Sequence, residues 1–259
     1  MTTAVPISLV VITLNEEKNI ERCLKSVPFA QDIVVVDSGS QDRTVEIAQK
    51  LGARVIQQPW LGFSKQKTFA AQQARHDWVL SLDADEALDE KALEKILQLS
   101  KDDFSQFDGF EFYRRNFHLG RWLKYGGQYP DRQIRLFHRL KAQWTNVEVH
   151  ERIEAPKAKA LKVDILHWPF PNGVRDQVST LNRYSDLRAV DFAKKGKTFA
   201  VVKMLLKSVS KFIELYFLKR GFLDGVPGLI VALVSTFATF LRWVKLYELQ
   251  NLKSKTDSK

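Results

Sequence analysis

Two aspartates one residue apart, Asp83 and Asp85, close the apolar run Trp78-Val79-Leu80-Ser81-Leu82. Where a strand leaves a sheet, such a pair can turn its oxygens toward a divalent cation, Mg²⁺ or Mn²⁺, and leave positions open for phosphate oxygens. Two other apolar runs end in the same way. Ile7 to Ile12 leads into Thr13-Leu14-Asn15-Glu16-Glu17, and Ile33 to Val36 leads into Asp37-Ser38-Gly39-Ser40-Gln41-Asp42. An isolated Asp-x-Asp is more often a capped strand end, whereas three acidic strand ends in one chain point to a ligand. Asn15, Glu16 and Glu17 also suit a helix start, as a cap and as partners of the helix dipole. Asp42 reads as a cap, and Asp37, still on its strand, can accept a hydrogen bond from a nucleobase N–H. No glycine-rich turn follows the first strand, so backbone N–H groups are not arranged to cradle a pyrophosphate as in a dinucleotide fold. A nucleoside diphosphate here needs its charge met by the cation and by Lys65 or Lys67.

The elements that must position these residues alternate. Ile7–Thr13, Ile33–Asp37, Arg54–Ile56 and Trp78–Asp83 read as strands, and Glu17–Lys25, Thr44–Leu51 and Ser64–Ala74 as the helices between them. That rhythm predicts βαβ units in a mostly parallel α/β sheet, and the scarcity of polar alternation predicts helices on both faces. Ligands of such sheets sit outside the carboxyl ends of the strands, where the acids lie. After a helix near Asp89–Leu99 the rhythm breaks. Phe110–Tyr113, Gln133–His138, Val147–Ile153 and Leu161–Leu166 read as strands in an aromatic-rich half expected to bind the acceptor. Helical patterns follow over Val174–Lys195 and Phe199–Arg220, then an uncharged stretch of about 17 residues from Gly225 to Leu241.

The single cysteine, Cys23, excludes an internal disulfide framework and fits a reducing compartment. The N-terminal residues lack the basic segment of a secretory leader. The formal charge is +10, and residues 191–259 hold 13 Lys/Arg against 5 Asp/Glu, so +8 of it belongs to the C-terminal part. Lys203, Lys207 and Lys211 recur at helical spacing, with Val202, Leu205, Leu206, Val209, Phe212, Ile213 and Phe217 on the other faces. This pattern suits a helix lying on an anionic membrane face. The stretch 225–241 is near the lower limit for spanning and reads better as docked at that face, with Arg242, Trp243 and Lys245 among the headgroups. The aromatic residues of the tail do not form a stacking strip, which argues against nucleic acid. Nothing in the sequence sets an oligomeric state.

Val-Ile-Thr-Leu-Asn-Glu-Glu, Val-Val-Asp-Ser-Gly-Ser-Gln-Asp-Arg-Thr and Leu-Ser-Leu-Asp-Ala-Asp-Glu, in that order and spacing over about residues 5–100, resemble the nucleotide-binding half of glycosyltransferase family 2. The resemblance implies a GT-A fold and inverting transfer from an activated sugar, usually a UDP-sugar. It implies Asn15 and Asp37 near the base, Asp83 at the ribose and Asp85 on the metal. Tyr113-Arg114-Arg115-Asn116, Gly120-Arg121-Trp122, Gly126-Gly127-Gln128-Tyr129-Pro130-Asp131, Arg135-Leu136-Phe137, Val149-His150-Glu151 and Gly221-Phe222-Leu223-Asp224-Gly225 resemble lipopolysaccharide inner-core β-1,4-glucosyltransferases that act on heptose. That likeness implies a lipid-borne saccharide acceptor and a cytoplasmic enzyme, peripheral on the inner face of the cytoplasmic membrane.

An inverting transferase needs one carboxylate to take the acceptor proton. The family usually carries it in a Glu-Asp pair, absent here; His150-Glu151 stands in the corresponding place, so Glu151 is the first candidate and Asp131 the second. The expected nucleotide-sugar ligands are Thr13, Asn15, Glu16, Asp37, Lys67, Asp83, Ala84 and Arg135, with Asp85 and Asp83 on the metal. Arg132, Arg135 and Arg139 can meet the leaving diphosphate or acceptor phosphates, or pair at the surface. His138, His150 and His167 are too scattered for a ligand set; His150 reads as a possible site residue and His167 as structural. The expected domains are 1–172, catalytic, with a nucleotide-sugar half (1–100) and an acceptor half (101–172), and 173–259, a helical membrane-associating extension. Two alternatives stand beside the heptose glucosyltransferase: a polyprenyl-phosphate sugar synthase and a non-catalytic GT-A scaffold.

Overall fold

The computed structural model describes residues 2–145 and 151–256. In chain order the elements are β1 (Ile7–Thr13), α1 (Ile20–Lys25), β2 (Asp32–Asp37), α2 (Thr44–Lys50), β3 (Arg54–Gln57), α3 (Phe63–Gln72), β4 (Trp78–Asp83), β5 (Glu86–Leu88), α4 (Glu90–Leu97), α5 (Lys101–Gln106), β6 (Gly109–His118), β7 (Arg121–Trp122), β8 (Asp131–His138), β9 (Gln143–Trp144), β10 (Ile153–Glu154), β11 (Ala158–His167), α6 (Val174–Lys194), α7 (Val201–Phe212), a π-helical segment (Ile213–Leu218), a 3-10 turn (Gly221–Asp224) and α8 (Gly225–Thr256). The chain divides into two compact units, Met1–Arg115 with Pro130–Trp168, and Asn116–Tyr129 with Pro169–Lys259.

In the first unit the apolar strands bury both faces. Leu9, Val11, Val35 and Leu80 join one core, and Val10, Val34, Val36 and Val79 join the other, so alternate residues of the same strands feed opposite layers. Each such side chain contributes about 1.5–3 kcal/mol on burial. Among the described residues the main sheet runs β3-β2-β1-β4-β8-β6-β11-β5. Its first four strands are parallel, with Thr13 opposite Asp37 and Ile12 opposite Asp83. The three acidic strand ends therefore lie side by side. Beyond β4 the pairing turns antiparallel: β4 with β8, β8 with β6, and β11 with β5. The sheet is thus mixed, its parallel half continued by antiparallel strands, because from β6 to β11 the described chain has none of the long helical crossovers that parallel neighbours need. β5 has three residues, too few for a pattern to reveal, yet it places His167 opposite Glu86. The expected strand over 147–153 falls largely on residues outside those described, and β10 begins at Ile153.

In the second unit, α6 and α7 both pack along α8. The buried Asp224 accepts from the backbone N–H groups of Lys124 (2.9 Å) and Tyr125 (2.8 Å), and Gly126 N donates to Lys219 O at 2.8 Å. A Cβ on Gly221 would stand 2.7 Å from Leu215 O, and one on Gly228 would stand 2.0 Å from Gly221 O. The two glycine-bearing motifs, 120–131 and 221–225, are in large part the two sides of this junction. The headgroup role expected for Arg242, Trp243 and Lys245 does not hold. Trp243 is buried against Phe192, Arg242 lies over the same ring, and Lys245 pairs with Asp186 at 2.6 Å and donates to Asn182 O at 2.9 Å. These three face α6, which supplies both the apolar ring and the counter-charge.

Candidate active site

At the ends of β1 and β2 the loops are tied to each other. Asn15 takes the left-handed conformation (φ 55°), which Asn tolerates better than most residues. Its N–H donates to Ser40 Oγ (2.8 Å), and its Oδ1 accepts from Gln41 N (2.8 Å). Glu16 N donates to Thr44 Oγ1 at 2.7 Å, and Glu17 N to Asp42 Oδ2 at 3.1 Å. Asp42 also accepts from Thr44 N at the start of α2 (3.0 Å), a capping contact. Asn15 does not cap α1, which begins at Ile20 after a turn on Glu16 O. Asp37 is fully buried: Oδ2 accepts from Gly39 N (3.0 Å) and Ser40 N (2.9 Å), and Oδ1 from the Ser40 hydroxyl. Its carboxylate thereby shapes the loop beside Asn15. Thr13 Oγ1 is buried at the same edge with no hydrogen-bond partner among the described residues, a costly state that a polar ligand would relieve.

Beside these loops runs a chain of alternating charges. Lys67, buried on α3, reaches Asp83 Oδ1 at 2.8 Å and Glu151 Oε1 at 3.1 Å. Arg135 on β8 reaches Asp83 Oδ2 at 3.1 Å and Glu86 Oε1 at 2.6 Å. Arg114 on β6 joins Glu86 (3.4 Å) to Asp131 (2.7 Å), and Gln133 Nε2 donates to Asp131 Oδ1 at 2.8 Å. Asp131, Gln133 and Arg135 share one face of β8 through the two-residue strand period, whereas Arg132 and Arg139 pair at the surface with Glu111 (4.0 Å) and Asp77 (3.3 Å). Four carboxylates against three cations leave this network at −1. Burial alone would raise the Asp83 carboxyl, but Lys67 and Arg135 hold it well below the usual carboxylate range. Burial likewise opposes charge on Arg135 and Arg114, and the acids around them keep both guanidinium groups protonated. In this arrangement both Asp83 oxygens are engaged by Lys67 and Arg135.

Asp85 is arranged differently. Its Oδ2 lies 3.2 Å from His167 Nε2, and Trp168 N donates to its carbonyl at 2.9 Å. Arg22 lies over the Trp168 ring at 3.5 Å. Ala84, between the two aspartates, is buried. A carboxylate and an imidazole nitrogen are suitable donors for Mn²⁺ or Mg²⁺ when phosphate oxygens and water complete the shell. Among the described residues no group of three or more His, Cys, Asp or Glu forms a ready-made metal cage. The donor set fits a cation that arrives with a phosphate rather than one held by protein alone.

A family model described as Glycosyl transferase family 2 matches residues 8–166, a span that contains every group of this network and Asp85. The chain belongs to that family. This family 2 glycosyltransferase is 31% identical over 263 residues to the lipopolysaccharide core biosynthesis glycosyltransferase LpsC of Rhizobium meliloti, covering 98% of this chain and 97% of that protein. It is 32% identical over 270 residues to an uncharacterized glycosyltransferase of Rickettsia typhi, covering 96% and 89%. Among solved structures it is similar to S. aureus TarS in complex with UDP-GlcNAc, at 18% identity and a TM-score of 0.46, covering 91% of this chain and 82% of that one.

Of the residues singled out in this family 2 sequence, the fold brings Lys67, Asp83, Arg135, Glu151 and Asp131 into one network, and Asn15, Glu16 and Asp37 into the adjoining loops. Lys65 is exposed, unlike Lys67. His150 lies outside the described residues. The residues that sequence reasoning passed over are Glu86, Arg114 and above all His167, which reads as structural from its spacing. Only the antiparallel return of β11 onto β5 sets it beside Asp85, and no local pattern announces that pairing.

Proposed function

We propose that this protein transfers a sugar, with glucose from UDP-glucose the first choice, to a heptose hydroxyl of the lipopolysaccharide inner core with inversion at the anomeric carbon. The observation that carries this reading is the conjunction at the end of β4: Asp83 clamped by Lys67 and Arg135, Asp85 beside His167, and Glu151 tied through Lys67 to the same point. The similarity to LpsC over nearly the whole of both chains supports the acceptor class.

In this reading Thr13, Asn15, Glu16 and the loop shaped by Asp37 receive the nucleoside, Asp83 and Ala84 line the ribose side, and Lys67 and Arg135 face the diphosphate. Asp85 and His167 hold Mn²⁺ or Mg²⁺. When bound, that cation neutralises charge developing on the diphosphate. Glu151 takes the proton of the acceptor hydroxyl as its oxygen bonds to the anomeric carbon; the bond to the diphosphate breaks, and its electron pair leaves with UDP. Glu151 is preferred to Asp131, whose two oxygens are engaged by Arg114 and Gln133. A diphosphate drawing Lys67 toward itself releases Glu151 for the acceptor. Residues 1–172 serve as the catalytic domain and 173–259 as the membrane-associating part, placing the enzyme on the inner face of the cytoplasmic membrane where a lipid-borne acceptor resides.

The test is a panel of UDP-sugars scored for binding and hydrolysis with and without Mn²⁺, followed by product analysis on truncated core lipid. The expected result is Mn²⁺-dependent turnover of UDP-glucose, a β-linked product on heptose, and loss of transfer but not of donor binding in Glu151→Gln. Transfer to a polyprenyl phosphate that survives Glu151→Gln would establish the lipid-phosphate alternative. Failure to bind any UDP-sugar with Mn²⁺ would leave the scaffold alternative.

A further inference from the structure

The second unit leaves a long apolar surface uncovered. On α7 and the π-helical segment that continues it, Val202, Leu205, Leu206, Val209 and Phe217 are each more than half exposed. At 100° per residue these side chains form one stripe, with Lys203 and Lys207, both exposed, along its edge. The face of α7 that meets the rest of the unit is a different one, carrying Ser208 and, two turns beyond, Leu215. The stripe has a counterpart on α8, where Val226, Leu233 and Phe237 are also more than half exposed. Soluble proteins rarely leave contiguous apolar patches of this extent uncovered.

A helix as apolar as α8 passes the length and hydropathy test for crossing a bilayer over Gly221–Asn251. Its neighbours argue against that course. α7 runs antiparallel to α8: Phe199 N donates to Gln250 Oε1 at 3.1 Å and the Phe199 ring meets Tyr247 at one end, and the turn Gly221–Asp224 joins the two helices at the other. Lys211 and the end of the row at Lys207 therefore lie alongside the uncharged part of α8, and a spanning α8 would carry Lys211 into hydrocarbon. Its last turns are tied by Lys245 to Asp186 and Asn182 of α6, a helix with exposed Arg175, Arg183 and Asp186. At 1.5 Å per residue α8 is about 48 Å long, well beyond the roughly 30 Å of a hydrocarbon core.

We propose that α7 and the π-helical segment lie flat in the interface of an anionic bilayer leaflet. The Val202–Phe217 stripe sits at the acyl boundary and Lys203 and Lys207 at the headgroups, while α8 is a backing helix that does not cross. The proposal deepens the membrane placement above and rests on a lipid-borne acceptor only for its usefulness. The occupant is a lipid surface because a cationic row flanks the apolar one, a combination that matches acidic headgroups over acyl chains.

The experiment is co-sedimentation of the full-length protein with phosphatidylglycerol–phosphatidylcholine vesicles and with pure phosphatidylcholine vesicles, with UDP-sugar hydrolysis measured in parallel. Expected are binding to the anionic vesicles, a loss of about tenfold or more in Leu206→Asp/Val209→Asp, weaker and less salt-sensitive binding in Lys203→Glu/Lys207→Glu, and release of bound protein by alkaline carbonate. Hydrolysis unchanged in these variants keeps this outcome separate from that of the donor site. Resistance to carbonate extraction would overturn the flat arrangement in favour of a spanning α8. A concentration-dependent dimer abolished by Leu206→Asp/Val209→Asp, without vesicle binding, would overturn it in favour of a second copy covering the stripe.

Discussion

Arg135→Met removes the guanidinium that bridges Asp83 and Glu86 while keeping comparable bulk in a site where Arg135 is 2% exposed. Glu86, 1% exposed, then keeps the Asp83 N–H at 3.1 Å and, as its charged partner, Arg114, whose nitrogen lies 3.4 Å away, against the 2.6 Å contact that is lost. Stripping one partner from a buried ion pair costs about 3–5 kcal/mol, and the residual Arg114 contact places this case near the lower end, about 3 kcal/mol. The pH dependence has a definite sign. In the native protein the depressed Asp83 carboxyl contributes stability that is present above its unfolded value and is lost as pH falls through its folded value. In Arg135→Met only Lys67 and, more weakly, Arg114 offset the burial of Asp83, so its carboxyl rises from its native position and the folded variant binds more protons than the folded native protein. The deficit is then largest near neutrality and shrinks as pH falls toward about 4, the ordinary carboxylate range. Urea unfolding followed by circular dichroism at pH 7 and pH 5 measures both effects. Glu86→Gln added to Arg135→Met should recover at least 1 kcal/mol or so, because it removes the stranded charge. A loss below about 1 kcal/mol at pH 7, or a deficit that grows as the pH is lowered, would refute the reasoning.

Other expectations follow from single contacts. Gly228→Ala sets a Cβ 2.0 Å from Gly221 O, backbone that has no room to yield, so the second unit should lose a few kcal/mol and expose apolar surface, measurable by dye binding and thermal melting. Asp224→Ala removes the buried carboxylate that accepts from the Lys124 and Tyr125 N–H groups and should cost about 1–3 kcal/mol by the same assay. Asp103, bound by Lys159 and by both Ser100 donors, should titrate at about 2 in an NMR pH series; its stabilising effect is present above the ordinary carboxylate value and fades as pH falls toward 2. Because that pair is half-buried at the surface and still reached by solvent, Asp103→Asn should change unfolding free energy by no more than about 1 kcal/mol.

The parallel half of the sheet and its acidic strand ends were legible because Val- and Ile-rich runs buried on both faces leave few other options, and because a strand end is a place in sequence as well as in space. The antiparallel half was less legible. β5, β7 and β9 are two or three residues long and carry no periodicity, and β6 is ten residues of mixed burial whose polar members read as a loop. Lys67 and Arg135 could be suspected from their neighbourhoods, but their shared hold on Asp83 depends on α3 and β8 flanking β4. His167 was missed because its partner is set by strand return rather than by spacing. Arg242, Trp243 and Lys245 were misplaced for a related reason: their types suit a headgroup layer equally well as a helix interface with Phe192 and Asp186, and only the packing of α6 on α8 decides between them.

The central claim is that the end of β4 forms a metal-assisted nucleoside-diphosphate-sugar site built on Asp85. Calorimetric titration of UDP-glucose into the native protein, Asp85→Ala and His167→Ala, each with Mn²⁺ and with chelator, tests it most directly. The account predicts Mn²⁺-dependent binding in the native protein, loss of that dependence in Asp85→Ala, a weaker response to Mn²⁺ in His167→Ala, and native unfolding curves for all three. Binding that is equally tight in chelator, or unaltered by Asp85→Ala, would contradict it.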